Sequence, residues 1–192
     1  MVNMKIVLAT SSRHRIEAFR TLGIKFSSKS SRINERFDGR PLKPAKLVAL
    51  LAKMKAESVA DGKSIVLGFD SVGWYMGEIL EKPSSEQEAV KILLSLSGKT
   101  HEFYTGVHII CGKRSMSKVV KTKVTMRKLS WNEIKKYIKS DRRFGSYAVG
   151  YDPIGSYASC FVKRIEGSYN NLIRGIPLEA IVPMLRSLGF DA

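Results

Sequence analysis

The stretch that decides the fold is S-I-V-L-G-F-D-S-V-G-W-Y-M-G-E-I-L-E-K-P, residues 64–83. Its β-branched, apolar start predicts a buried strand that ends at Asp70 and Ser71. A carboxylate at the carboxyl end of a strand lies where open α/β sheets bind their ligands. The next residues predict a hairpin across Gly77-Glu78, with Lys82 just beyond it. The stretch therefore predicts an α/β fold and two candidate site residues, Asp70 and Lys82, on either side of a hairpin.

Both candidates also have a simpler interpretation. Asp is common at the end of a strand, where it bonds to the local backbone, so Asp70 is equally well explained as a turn residue. Lys82 taken alone is more simply explained as a solvated surface lysine.

A second candidate region lies near the N-terminus. Residues 5–10, K-I-V-L-A-T, predict a strand, and the hydroxyl residues Thr10, Ser11 and Ser12 are suited to cap the helix that follows. Free backbone N–H groups at such a helix start favour an anion. Arg13, His14 and Arg15 fall in the first turn, where positive charge opposes the helix dipole. The cluster therefore indicates that a bound anion compensates these cations.

The remaining elements follow from apolar periodicity and capping residues. Helices are predicted over residues 44–59, after Ser84-Ser85, after Ser130 and in the last segment, where Pro183 marks a kink or the real start. Strands are predicted over residues 24–28, 100–111, 118–128 and 157–165. Strands and helices alternate early and strands cluster late, which favours an α/β protein with a mixed sheet.

Composition excludes several classes of protein. The chain has 192 residues, 44% of them hydrophobic and 26% charged, typical of a soluble globular protein with one large domain or two lobes sharing a sheet. It lacks an apolar run of about 18 residues and a signal peptide, so we expect a cytoplasmic protein that does not enter a membrane. Cys111 and Cys160 are interpreted as buried small hydrophobes. The sequence contains no pair of histidines at metal-ligand spacing, no nucleophile elbow and no glycine-rich phosphate loop.

The charge of the chain is unusual. The net charge is +16, and residues 112–143 supply ten of those charges, with twelve Lys or Arg against Glu133 and Asp141. Lys121 and Lys123 alternate with less polar residues, as on the solvent face of a half-buried strand. That interpretation is preferred to a nucleic-acid interface, because the basic face of residues 112–143 is expected to lack the interleaved aromatics of a single-strand platform.

Several segments occur in a recognisable order along nearly the whole chain. They are L-A-T-S-S-R-H-R-I-E-A-F at 8–19, N-E at 34–35, L-A-K-M-K-A at 51–56, G-F-D-S-V at 68–72, E-K-P at 81–83, L-S-G-K-T-H-E-F-Y-T-G-V at 96–107 and F-V-K-R-I-E-G-S-Y-N-N-L-I-R-G-I-P-L at 161–178. This ordered set resembles the Maf family, also called septum-formation-inhibitor-like proteins. Any one segment alone is weak evidence for the family, whereas the ordered set of segments is specific to it.

The resemblance implies a fold and an activity. The expected fold is an elongated α/β domain of the inosine-triphosphatase-like (Maf/Ham) type, spanning residues 1–192, with a mixed central sheet, flanking helices and two lobes around a cleft. The implied activity is hydrolysis of a nucleoside triphosphate to a monophosphate and pyrophosphate. By analogy the substrates are dTTP and UTP or modified nucleotides, in a house-cleaning role. A homodimer is implied by the resemblance alone.

The resemblance also assigns roles to residues. Glu35 and Asp70 would bind a divalent cation, Mg²⁺ or Mn²⁺, through their hard oxygen atoms. Asp70 would also orient or deprotonate the attacking water. The catalytic residues that the resemblance implies are Asp70, Glu35 and Lys82. The implied substrate-binding residues, which would contact the phosphates, are Ser12, Arg13, Arg15, Lys55 and Lys82.

The chain departs from the family pattern at several positions. Arg13 replaces a Pro, His14 replaces an Arg and Glu81 replaces a Gly. A Gln that the family carries in a G-I-Q-G segment has no counterpart, since Gln87 at a helix start is the only Gln in the chain. Possible substitutes are Tyr151, Asp152 and Ser156. Base selectivity is thus left open between pyrimidine and inosine- or methylguanosine-type triphosphates. The rival from another class is a nucleic-acid-binding protein on a Maf-like scaffold.

Overall fold

The computed structural model of the protein describes residues 4–190. Its strands are β1 Ile6–Ala9, β2 Phe26–Ser28, β3 Ile65–Tyr75, β4 Glu78–Leu80, β5 Thr100–Cys111, β6 Arg114–Met126 and β7 Val162–Gly167. Its α-helices are α1 Arg13–Arg20, α2 Pro44–Glu57, α3 Glu86–Leu96, α4 Trp131–Ser140, α5 Tyr169–Arg174 and α6 Leu178–Ser187. Two short 3-10 helices cover Phe144–Ser146 and Tyr157–Cys160.

The strands form one mixed sheet in the order β2-β1-β3-β5-β6-β7, with β4 paired to β3. β1 pairs in parallel with β2 and β3, whereas β4 pairs antiparallel with β3 and β7 with β6. The predicted α/β fold with a mixed central sheet is therefore confirmed.

The described residues divide into two compact units. The first comprises residues 4–71, 105–120 and 174–190, and the second comprises residues 72–104 and 121–173. The main core of the first unit includes Leu8, Phe19 and Leu67. The core of the second includes Leu93 and Phe161.

β3 is longer than the sequence predicted. Asp70 does not end a strand; it lies in the middle of one that continues to Tyr75. The strand continues because its pairing partner changes: residues 65–68 pair with β1, and residues 73–75 pair with β4. Asp70 therefore lies two residues beyond Gly68, where the parallel pairing with β1 ends. The hairpin turn is also displaced by one residue, to Met76-Gly77, where both residues have positive φ as a type I′ turn requires.

Two glycines let α2 lie directly on the sheet. A Cβ atom at Gly68 of β3 would lie 2.1 Å from the carbonyl oxygen of Ala52, and one at Gly106 of β5 would lie 2.2 Å from that of Val48. Both contacts are with helix backbone, which a side chain cannot displace without moving the helix. The glycines therefore fix the distance between α2 and the strands beneath it.

Other differences are local. Residues 157–160 form a 3-10 helix rather than the start of a strand, because Ser156 caps that turn by accepting from the Ala158 N–H. Cys160 is exposed and Cys111 is half-buried, so the expectation that both are buried was wrong. Pro183 lies inside α6 and does not mark its start. Within residues 4–190, every helix is too short or too polar to span a bilayer.

Candidate active site

Three charged side chains meet in the first unit. The Lys55 ammonium lies 2.6 Å from Asp70 Oδ1 and 2.8 Å from Glu35 Oε1. The side chains of Lys55 and Asp70 are 11% and 8% exposed, whereas that of Glu35 is 48% exposed. One ammonium therefore binds two carboxylates, one in the interior of the unit and one from a surface loop.

The position of Lys55 follows from the periodicity of α2. The buried residues of this helix fall at positions 44, 47, 48, 51, 52, 55 and 56, which is the spacing of one helix face. Lys55 thus occupies a position on an otherwise apolar face. Lys53, two residues earlier, is half-exposed and pairs with Glu57 at the surface. The close approach of α2 at Gly68 brings the Lys55 ammonium to Asp70 on the same strand.

Asp70 is the buried carboxylate of the site. Burial raises the pKa of the Asp70 carboxyl above its ordinary value, and the positive charges of Lys55 and Arg15 act against that rise. The neighbouring Glu35 charge adds to it. Asp70 is thus a carboxylate that is held by cations and yet retains affinity for a proton, a property suited to a general base.

Arg15 contacts both sides of Asp70 along β3. Its guanidinium donates to the carbonyl of Phe69 at 3.3 Å and to Ser71 Oγ at 2.8 Å, and its Nε–H donates to the carbonyl of Gly175 at 2.9 Å. Burial lowers the pKa of Arg15, and the charge of Asp70 opposes that shift. The guanidinium thus ties the first helix, the strand that carries Asp70 and the C-terminal segment together.

Sequence reasoning missed one residue of this network. The hydroxyl of Thr105 lies 2.7 Å from Ser71 Oγ, and Thr105 is fully buried. Its segment, T-G-V at 105–107, was among those that resemble the family, but a single Thr in a strand gives no chemical signal. The close contact of Gly106 with α2 was equally invisible in the sequence.

The first turn of α1 is built as the sequence predicted. Ser12 is its N-cap, and the Ser12 hydroxyl accepts from the Arg15 N–H at 3.5 Å, which is long for a hydrogen bond. The Arg13 side chain is 85% exposed and lies 4.0 Å from Glu17. No acid lies in the first turn. The start of the helix thus presents backbone N–H groups and a solvated cation.

The other predicted residues lie in the second unit. Lys82 is exposed between β4 and α3, and its role in the site remains a prediction. Tyr151 is buried against His101 and Phe161. The backbone carbonyl of Asp152 accepts from the Ser156 hydroxyl at 3.1 Å. That any of the loop residues replaces the family Gln also remains a prediction.

Glu35 and Asp70 are suited to a divalent cation only in combination with a substrate. Among the described residues, no group of three or more His, Cys, Asp or Glu side chains could hold a metal. Mg²⁺, however, is commonly bound by one or two carboxylates together with phosphate oxygens and water. Two carboxylates that reach one ammonium are close enough to share such an ion, so the residues fit that kind of site.

Comparison with solved structures supports the fold. The chain is similar to the structure of a HAM1 protein from Coxiella burnetii, with a TM-score of 0.54 and 15% identity over 96% of this chain and 99% of the other. This likeness confirms the inosine-triphosphatase-like fold that was predicted from the sequence.

Comparison with curated proteins identifies the family. The chain is 38% identical to a dTTP/UTP pyrophosphatase of Bacillus cereus (strain ATCC 10987 / NRS 248), over 97% of this chain and 91% of that protein. It is also 38% identical to a dTTP/UTP pyrophosphatase of Bacillus thuringiensis subsp. konkukian, over 97% of both. The family model for Maf-like protein matches residues 5–188. The chain therefore belongs to the family of Maf-like proteins.

Proposed function

We propose that this protein is a nucleoside triphosphate pyrophosphatase that releases pyrophosphate and a nucleoside monophosphate. The observation that carries the proposal is the buried Asp70 carboxylate, 2.6 Å from the Lys55 ammonium that also binds Glu35. A base beside fixed cations is what the attack of water on a polyanion needs. The relatives named dTTP/UTP pyrophosphatase support the same class of reaction.

In the proposed reaction, water attacks the α-phosphorus and Asp70 accepts its proton. The bond between the α-phosphorus and the bridging oxygen breaks, and pyrophosphate leaves with the electron pair. Because burial raises the pKa of Asp70, the carboxylate takes up this proton more readily than an exposed Asp would. Arg15 binds the Phe69 carbonyl and the Ser71 hydroxyl, one on either side of Asp70, and so fixes the direction of the base.

The triphosphate must be neutralised by positive charge. We assign that task to Lys55, Arg13 and Lys82, with the Ser12 hydroxyl and the free N–H groups at the start of α1 as further phosphate contacts. Glu35 and Asp70 would hold Mg²⁺ or Mn²⁺ together with phosphate oxygens. When bound, the ion supplies further neutralisation of the phosphate charge.

The proposed substrates are dTTP and UTP, by analogy with the relatives. The alternative is the same chemistry on inosine- or methylguanosine-type triphosphates, which the absent family Gln leaves open. A panel of standard and modified nucleoside triphosphates, each with Mg²⁺, with Mn²⁺ and with EDTA, separates these two. Metal-dependent pyrophosphate release is expected, with the preferred base identifying the substrate.

Two variants test the site. Asp70→Asn and Glu35→Gln are each expected to reduce turnover at least about 100-fold, because each removes a charge at the reacting centre. The matched control is Glu57→Gln, an acid at the end of α2 that pairs with Lys53 at the surface. If both site variants keep full activity while remaining folded, the mechanism is wrong. If the wild-type protein is folded and releases pyrophosphate from none of the panel, the proposed function is wrong.

A further inference from the structure

The outer face of α4 is basic and carries an aromatic side chain. Its inner residues, Ile134, Tyr137 and Ile138, are buried in the core of the second unit. Its outer residues include Trp131, Lys135 and Lys139, which follow one another at intervals of four and so share one side of the helix. Further cations in and around this helix are Lys128, Lys136, Arg142 and Arg143.

Trp131 is unusually exposed for so large an apolar side chain, so the expectation that the basic face of residues 112–143 lacks aromatics was wrong at this position. Half of its surface, 50%, is accessible to solvent. The Lys135 ammonium lies 3.9 Å from the centre of the indole ring, so a cation is fixed against the aromatic surface. An aromatic ring beside a fixed cation has the two elements with which proteins bind single-stranded nucleic acid: a surface for base stacking and a charge for phosphate.

The acids of this region do not neutralise the outer face. Glu133 is bonded to Arg127 and to the Tyr157 hydroxyl. Asp141 is buried at the end of the helix and pairs with Arg143 at 3.5 Å. Among residues 4–190, no carboxylate forms an ion pair with the outward lysines at positions 135, 136 and 139 or with the arginine at 142. The charge of this face is therefore available to a polyanion.

We propose that the outer face of α4 binds single-stranded nucleic acid. A base stacks on the indole of Trp131, and the lysines along the same side of the helix contact successive phosphates. Charge complementarity carries the proposal. A lipid surface fits less well, because a helix that lies on a membrane must present its apolar face to the lipid, and here that face is in the core. The proposal adds a binding surface to the enzyme and does not depend on the pyrophosphatase reaction.

The first test measures binding directly. Fluorescence anisotropy of labelled oligo(dT) and oligo(U) of 20 nucleotides, with the full-length protein in EDTA, gives the affinity at several salt concentrations. We expect binding to both oligonucleotides, with an affinity that falls as salt rises. Two or three phosphate contacts correspond to a slope of about −1.4 to −2.1 in log affinity against log salt.

Variants locate the surface. Trp131→Ala is expected to weaken binding roughly 5- to 150-fold, the effect of losing one stacked base. Lys139→Glu is expected to weaken binding and to reduce the salt slope by about 0.7 or more. The matched control is Lys91→Glu, which makes the same charge change at an exposed position on α3 of the same unit. All three positions are exposed, and circular dichroism checks that each variant is folded.

The proposal has clear contrary outcomes. It is overturned if the Kd for each oligonucleotide exceeds about 100 μM at low salt. That value is the weak limit of typical non-specific binding to nucleic acid. It is equally overturned if Trp131→Ala and Lys139→Glu bind no more weakly than Lys91→Glu. Binding to phosphatidylserine vesicles without binding to either oligonucleotide would assign the face to a membrane instead. Pyrophosphate release by Trp131→Ala should equal that of the wild type, which separates this surface from the proposed active site.

Discussion

Replacement of Lys55 by Met should destabilise the protein strongly, even though it leaves an unbranched, largely apolar side chain on an apolar helix face. The reason is the Asp70 carboxylate, only 8% exposed, which would lose the ammonium 2.6 Å away. Removal of one partner from a buried ion pair costs about 3–5 kcal/mol. Glu35 adds less than about 1 kcal/mol, because its half-exposed side chain can be solvated instead. For a chain of this size, the total of about 3–6 kcal/mol corresponds to a fall in Tm of about 6–24 °C.

Thermal and urea unfolding in EDTA at pH 7.5 measure this loss. Lys53→Met is the matched control, since Lys53 lies on the same helix, is half-exposed and pairs with Glu57 at 3.8 Å. It should change the free energy of unfolding by less than about 0.5 kcal/mol. Combining Lys55→Met with Asp70→Asn removes the unpaired charge and should recover much of the lost stability. A loss below 1 kcal/mol for Lys55→Met, or a double variant less stable than the single one, refutes the buried ion pair as the cause.

Three further predictions use other parts of the molecule. Gly68→Ala places a methyl group 2.1 Å from the carbonyl oxygen of Ala52, so urea unfolding should show a loss of at least about 2 kcal/mol, and a neutral effect would contradict the close packing. Burial lowers the pKa of His101 to about 4, so the unfolded chain takes up a proton at higher pH than the folded one; stability should fall by up to about 3 kcal/mol between pH 6.5 and 4, and His101→Phe should flatten this dependence in unfolding experiments across that range. Arg15→Lys removes the guanidinium that donates to the Phe69 carbonyl and the Ser71 hydroxyl on either side of Asp70, so steady-state kinetics should show kcat reduced at least about tenfold with KM little changed. A rise in KM alone would instead assign Arg15 to the phosphates.

Local patterns predicted the elements well and their partners poorly. The strand over residues 100–111 and the cap at Ser130 were predicted correctly, and the cap of α3 is Ser85, one of the two serines left open, because alternation and capping depend on neighbours in sequence. The continuation of β3 through Asp70 was missed because it depends on β4 taking the place of β1 alongside, which no local pattern records.

The candidate site shows the same division. Charge and motif order singled out Asp70, Glu35 and Lys55, and the structure brings these three together. Arg15 was predicted to bind phosphate, and its bonds to three protein acceptors could not be predicted because two of the acceptors are backbone carbonyls. Backbone atoms are present at every residue, so their use in a site leaves no trace in the sequence.

The division of the first unit among three stretches of chain also determines when the site is completed during synthesis. Asp70 is synthesised before the second unit, whereas the carbonyl of Gly175 that accepts from the Arg15 Nε–H is synthesised after it. The two stretches of the second unit, residues 72–104 and 121–173, are translated in between, and residues 105–120 of the first unit separate them. Contacts between such distant residues form slowly, and a nascent chain folds from the segments that have emerged. The second unit is therefore synthesised before the last stretch of the first, and the Arg15 guanidinium gains its third acceptor only after that stretch has emerged.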